Sequence, residues 1–203
     1  MGFYSNFIIP YCIDWAMSDP VLAEYRQQLL ADVSGEILEI GFGTGLNLPH
    51  YPDRVEKITT VDPNPGMNKI SRSRIADSKI TVDRRVLNGE NLPMEDESFD
   101  TIVSTWTLCS IPDVNSAIAE IYRLLKPGGK FLFIEHGASK DDGVRVWQNR
   151  LTPIQKVIAD GCHLNRNIQN LVAQKFSELT IEEFYAPKFP KIVGYMYKGV
   201  AQK

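Results

Sequence analysis

Apolar positions along the chain follow two rhythms: short solid runs, and longer stripes spaced three and four residues apart. The solid runs are Ile37-Leu38 with Ile40, then 55–61, 80–87, 99–104 and Phe131-Leu132-Phe133-Ile134. Runs of this length between turn residues predict buried strands. Stripes lie between them. Leu22, Tyr25, Leu29, Leu30 and Val33 predict a helix that opens at Asp19-Pro20, an N-cap followed by proline at the first helical position, and runs to about Val33. Further helices are predicted over 46–51, 65–76 and 113–125. The last is capped by Asp113 and stopped by Lys126-Pro127-Gly128-Gly129, which places the fifth strand at 130–135.

Strand alternating with helix implies parallel pairing through right-handed crossovers. The last third departs from that order. Helices over 147–159 and 167–175 precede strands over 176–185 and 191–201, close enough in sequence to pair antiparallel at one sheet edge. Residues 3–17 are rich in aromatic and aliphatic side chains. They predict a segment that Pro10 kinks or breaks, packed across the domain edge and able to close a site from above. The division expected is one domain over 1–203: a helical lid over 1–33, a ligand-binding core over 34–136, and substrate-side helices with edge strands over 137–203.

The first strand carries the earliest chemical signal. Glu39 interrupts its apolar run, and Gly41, Gly43 and Gly45 follow at alternate positions, a turn where backbone approaches a ligand more closely than a Cβ allows. Dinucleotide folds want a third glycine where this chain has Leu46, so a pyrophosphate seat is disfavoured. Asp62 lies at the tip of the second strand, 62 − 41 = 21 residues past Gly41, the distance of a carboxylate that accepts ribose hydroxyls. Glu39 is a poor core residue unless it holds a cationic amino group or orients the turn. Asn88-Gly89-Glu90 follows the third strand, where an amide or acid reads an adenine edge. An adenosine with an amino-acid tail satisfies this set better than a second phosphate does.

Composition narrows the partners. With 22 basic against 25 acidic residues, net charge −3, there is no cationic surplus for nucleic acid. Cys12, Cys109 and Cys162 show no CxxC spacing, so no metal site and no disulfide framework are expected. The apolar stretch Phe7-Ile8-Ile9 is cut by Pro10 and followed by Asp14, so no integral membrane segment is expected. A cytoplasmic location follows, a peripheral membrane contact stays compatible with it, and the oligomeric state is left open.

The motifs Glu39-Ile-Gly-Phe-Gly-Thr-Gly, Val61-Asp62-Pro-Asn, Asn88-Gly-Glu-Asn-Leu-Pro, Ser98-Phe-Asp and Leu124-Leu-Lys-Pro-Gly-Gly together resemble class I S-adenosylmethionine-dependent methyltransferases acting on small molecules. Asn88 stands where that family usually has aspartate against the adenine amino group, and its side-chain oxygen still accepts. Thr107-Leu108-Cys109-Ser110-Ile111, Glu135-His136, Trp147-Gln148, Asp160-Gly161-Cys162 and Gly194-Tyr195 resemble the methyltransferase-like 7 group, whose animal members methylate alkyl thiols. The resemblance implies a Rossmann-like α/β methyltransferase fold with a mostly parallel seven-stranded sheet, S-adenosylmethionine as cofactor, S-adenosylhomocysteine as product, and a small, largely apolar acceptor. A thiol is favoured, with a lipid or quinone head group as alternative; a non-catalytic S-adenosylmethionine-binding protein is the reading from another class.

The cofactor-binding residues expected are Glu39, Gly41, Gly43, Asp62, Asn88, Gly89, Glu90 and Thr105. Tyr4, Trp106, Glu135 and Trp147 are expected to line the acceptor pocket, and His136 is the candidate catalytic group, able to take a proton or orient the acceptor. Asp160 and Arg166 are expected to pair and fasten the helical cap.

Overall fold

A computed structural model describes residues 8–203, so Tyr4 lies outside the described residues. Helix α1 (Ile9–Met17) and helix α2 (Pro20–Leu30) precede the sheet. Pro10 does not break α1 but sits in its first turn, where the missing N–H has no helical partner to lose. Asp19 caps α2 as expected, its side chain accepting from the Val21 N–H at 2.8 Å. The helix ends at Leu30, three residues before the end of its apolar stripe.

Strands β1 (Ile37–Ile40), β2 (Lys57–Val61), β3 (Thr81–Arg85), β4 (Phe99–Thr105), β5 (Leu125–His136), β6 (Glu178–Tyr185) and β7 (Tyr195–Gln202) form one sheet in the order β3-β2-β1-β4-β5-β7-β6. The first five are parallel; β7 runs antiparallel between β5 and β6. Helices α3 (Met67–Asp77), α4 (Val114–Leu124), α5 (Asp142–Ile158), α6 (Ile168–Ala173) and the short α7 (Lys191–Gly194) connect them.

Other predicted boundaries move too. Residues 46–51 hold only a 3₁₀ turn at Leu48–His50, because Pro52 holds the preceding Tyr51 in extended backbone and stops the helix there. Strand β5 begins at Leu125, and the Lys-Pro-Gly-Gly stretch is absorbed as an irregularity: Phe99 pairs with Leu125 but Thr101 with Lys130. Helix α5 starts at Asp142, since Asp141 accepts from the Gly143 and Val144 N–H groups and caps it earlier than the apolar stripe suggests. The last strand starts at Tyr195, after the turn of α7.

Both faces of the sheet are covered. On one, Leu38, Ile40, Ile102 and Phe131 pack with the α4 stripe Ile118, Ile121 and Leu124. On the other, Ile37, Ile58, Val103 and Leu132 pack with Leu29 and Leu30 of α2. Strand β1 is buried at all four positions. It stands where the strand order reverses, between β2 on one side and β4 on the other, and such a switch leaves a crevice beyond the carboxyl ends of the strands. Among the described residues no helix is long and apolar enough to cross a membrane.

Candidate active site

The crevice starts at the loop leaving β1. Gly41 turns with φ +78°, and a Cβ there would lie 1.9 Å from Thr107 Oγ1. Gly43, at φ +56°, has nothing closer than 3.9 Å to such a Cβ, so the space above it is open. Asp62 at the end of β2 holds this loop from the neighbouring strand. Its Oδ2 accepts the Gly43 N–H at 2.7 Å and its Oδ1 the Asn64 N–H at 2.8 Å. Burial raises the Asp62 pKa, and these two backbone donors pull the other way without cancelling it. A carboxylate offers about four lone-pair directions, so two remain for a ligand.

Glu39, in β1, also lines the crevice. It is 1% exposed, and its carboxylate accepts from Asn47 Nδ2 at 2.8 Å and from the Tyr51 hydroxyl at 2.8 Å. Burial pushes its pKa up to about 7, outweighing both donors and the nearby Arg26. Arg26 is itself 3% exposed; it donates to the Met17 carbonyl at 2.9 Å and lies 4.7 Å from the centre of the Trp106 ring. Burial lowers its pKa to about 10. Arg26 Nε and Asn47 Oδ1 are buried without a hydrogen-bond partner among the described residues. Buried polar atoms are nearly always paired, so an orphan donor and an orphan acceptor in one crevice wall are places where a bound group completes the bonding.

The crevice measures about 470 Å³, within the roughly 300–1,000 Å³ of small-molecule and cofactor sites. Its floor is the β1 loop with Asp62; Asn88, Gly89 and Ile111 close one side, and Thr105, Trp106 and Thr107 the end of β4. Ile13 and Met17 of α1 form part of the wall, and Ala159, Asp160 and Gly161 after α5 face them. Helix α1 is fastened in place by Arg74 of α3, which donates to Asp14 at 2.7 Å and to the Thr44 carbonyl at 2.9 Å. Burial would raise the Asp14 pKa, but the hydrogen bonds from Arg74 and Thr44 and the positive charges of Arg74 and Arg26 together hold it below the usual carboxylate value.

Of the residues expected here, Glu39, Gly41, Gly43, Asp62, Asn88, Gly89, Thr105 and Trp106 all line this crevice. Glu90 does not. Its carboxylate turns away to accept the Asp113 N–H at 2.8 Å and Asn88 Nδ2 at 2.9 Å, fixing the start of α4. Glu135 is also outside the wall. Fully buried, it accepts the N–H groups of Thr107 and Leu108 at 2.8 and 2.9 Å, that of Cys109 at 3.3 Å, and the Ser104 hydroxyl at 3.1 Å. An acid is needed there because the turn after β4 presents three backbone donors with no helical acceptors. Trp147 is 52% exposed on α5, with Arg150 over its ring, and does not reach the crevice. Asp160 and Arg166 make no ion pair with each other: Asp160 accepts from Asn64 Nδ2 at 3.4 Å, and Arg166 donates to the Leu108 carbonyl.

His136 ends β5 behind the wall, and its Nε2 lies 3.0 Å from Cys162 Sγ. Burial works against protonating the ring; the hydrogen bond to Cys162 and the nearby negative charge of Cys162 and Glu135 together outweigh it and raise the pKa. Sequence reading missed Arg26 and Asn47. For Arg26 the signal was present: it sits between Leu22 and Leu29 on the buried face of α2, where a guanidinium needs a reason.

The methyltransferase domain family matches residues 38–133. The chain is 36% identical to thiol S-methyltransferase TMT1A of Homo sapiens, over 84% of this chain and 75% of that protein. It is 39% identical to thiol S-methyltransferase TMT1B of Rattus norvegicus over 72% of this chain. There the match spans 62% of the relative, less than two thirds of its length. Among solved structures, N-methyltransferase NodS from Bradyrhizobium japonicum WM9, in complex with S-adenosylhomocysteine, superposes with a TM-score of 0.69 at 17% identity, over 98% of this chain and 94% of that one. At that identity the likeness shows the fold.

Proposed function

This chain belongs to the thiol S-methyltransferase family, within the S-adenosylmethionine-dependent methyltransferases, and we propose that it transfers a methyl group from S-adenosylmethionine to the sulfur of a small, largely apolar thiol. The observation that carries the cofactor is the pairing of vacant bonding capacity at both ends of one crevice. Asp62 keeps two lone-pair directions for the ribose hydroxyls. At the other end, Asn47 Oδ1 and the Glu39 carboxylate suit an ammonium, and Arg26 suits a carboxylate. Asn88 and Gly89 border the space left for the adenine ring.

When bound, the sulfonium supplies an electrophilic methyl group open to in-line attack. The chain's own part is to align the acceptor and exclude water. Trp106, Ile13 and Met17 give the acceptor side an apolar wall, and such a wall favours a thiolate that sheds water before it reacts. Among the described residues no histidine or lysine lines the crevice. Of its carboxylates, Glu39 accepts from Asn47 and Tyr51, Asp160 accepts from Asn64, and Asp62 accepts from Gly43 and Asn64, its two remaining lone-pair directions being those assigned to the ribose hydroxyls. That favours an acceptor that ionises unaided. A thiol with a cysteine-like pKa is a few per cent ionised near neutral pH, and any thiol is more acidic than an aliphatic hydroxyl.

The test is incubation with methyl-labelled S-adenosylmethionine and a panel of alkyl thiols, quinols and phospholipid amines, read by mass spectrometry. Labelled methyl thioether formed in step with S-adenosylhomocysteine is the expected product. Label on a quinol or amine, with none on any thiol, would replace the acceptor class.

A further inference from the structure

Three soft donor groups unused by the crevice converge just behind it. Cys109 comes from the turn after β4, His136 from the last residue of β5, and Cys162 from the turn after α5. Their Sγ and ring-nitrogen atoms all lie within 4.8 Å of one another, with Cys162 Sγ and His136 Nε2 at 3.0 Å. Cys109 is 2% and Cys162 4% exposed. We propose that Cys109, His136 and Cys162 bind a thiophilic divalent metal ion, zinc(II) in the cell.

Dimensions favour it. Zinc–sulfur bonds of about 2.3 Å and zinc–nitrogen bonds of about 2.0–2.1 Å give tetrahedral edges of roughly 3.5–3.8 Å between donors. The observed cluster brackets that value, with one pair at 3.0 Å and the others no more than 4.8 Å apart, so shifts of up to about 1 Å close it around an ion. The surroundings are those of a built site. Glu135 fixes the backbone that carries Cys109 by accepting the Thr107, Leu108 and Cys109 N–H groups. Gln155 Nε2 lies 3.8 Å from Cys162 Sγ as a donor to a thiolate.

Binding balances in charge. Each cysteine releases its thiol proton to solvent, His136 ligates as the neutral ring, and two thiolates offset the two positive charges. Three protein ligands leave a fourth position for water. The site ties together the two turns that continue directly into the crevice wall, Cys109 into Ser110 and Ile111, Cys162 back into Gly161 and Asp160. His136 therefore acts as a positioning residue through the metal rather than as a proton carrier.

Cobalt(II) titrated into the chelator-treated, reduced full chain tests this without cofactor or acceptor, so its outcome is independent of methyl transfer. The expected result is one equivalent bound per chain, with a thiolate-to-cobalt charge-transfer band and the intense visible bands of a tetrahedral centre, displaced by zinc. Cys162→Ser and His136→Ala are expected to weaken binding by at least the ~10–100-fold that loss of even an outer partner costs. Cys12→Ser, at an exposed cysteine on α1, leaves it unchanged. A folded wild-type chain that shows no charge-transfer band, or a band that survives in Cys162→Ser, overturns the site.

Discussion

Asp62 at the end of β2 accepts the backbone N–H of Gly43 at 2.7 Å, so the tip of one strand holds the ligand loop of its neighbour. The same carboxylate faces the crevice. Loop geometry and the cofactor anchoring proposed above therefore rest on a single side chain.

Replacing it exposes both roles. Asp62→Ala is expected to weaken S-adenosylmethionine binding by about 1–3 kcal/mol, the cost of leaving buried partners unpaired. Asp62→Asn keeps one acceptor and should lose less. Isothermal titration calorimetry measures both, and unchanged affinity in the alanine variant removes Asp62 from the ligand's contacts.

Gly41→Ala should do more damage than its size suggests. The residue sits at φ +78°, and the new Cβ would meet Thr107 Oγ1 at 1.9 Å. Backbone strain of about 1–3 kcal/mol adds to a displaced Thr107. Urea unfolding is expected to show that loss, together with weaker cofactor binding.

Glu39 predicts a pH dependence. Its carboxyl pKa rises from 4.5 in a free chain to about 7 in the fold, because burial disfavours the charge. Between those values the folded protein holds a proton that the unfolded chain has released. Stability from this group is therefore full below the free-chain value and falls as pH climbs towards 7, by at most about 1.4 kcal/mol per pH unit. Above 7 the contribution is constant. Glu39→Gln should flatten that slope in denaturant unfolding across the window, and should also abolish the gain in cofactor affinity expected as the wild-type carboxylate ionises.

Asp14→Ala unfastens α1 from Arg74. The pair is partly exposed, so the stability loss is expected to be about 1 kcal/mol or less. The larger effect should be on the rate at which cofactor leaves, read by stopped-flow displacement, because Ile13 and Met17 of the same helix form the crevice wall.

Trp147→Ala offers the contrast. This exposed tryptophan stands apart from the crevice, and surface changes of this kind usually stay within about 0.5 kcal/mol. Thermal unfolding and steady-state turnover are both expected to remain close to wild type.

The parallel sheet and the residues that line the crevice beside β1 and β2 were legible because both are written locally. Solid apolar runs announced β1, β2 and β4, and the spacing from Gly41 to Asp62 placed a carboxylate at the neighbouring strand's tip. What escaped depends on long-range contact. Glu135 looked like an acceptor-pocket acid, yet it serves three N–H groups of a turn 26 to 28 residues earlier. Glu90 belongs to a run of polar residues and gave no hint that it would bend towards Asp113. Cys109, His136 and Cys162 have no metal-ligand spacing in sequence, and only the meeting of two turns with the end of β5 brings them together. Boundaries shifted where capping outweighed periodicity, as at Asp141, which starts α5 well before its first tryptophan.

The most direct measurement is a crystal structure of the full chain with S-adenosylhomocysteine. The ligand should lie in the crevice beyond β1 and β2, with ribose oxygens within hydrogen-bond distance of the Asp62 carboxylate and the amino-acid end against Glu39, Asn47 and Arg26. A nucleoside bound elsewhere, or one whose sugar leaves Asp62 bonded to Gly43 and Asn64 alone, would contradict it.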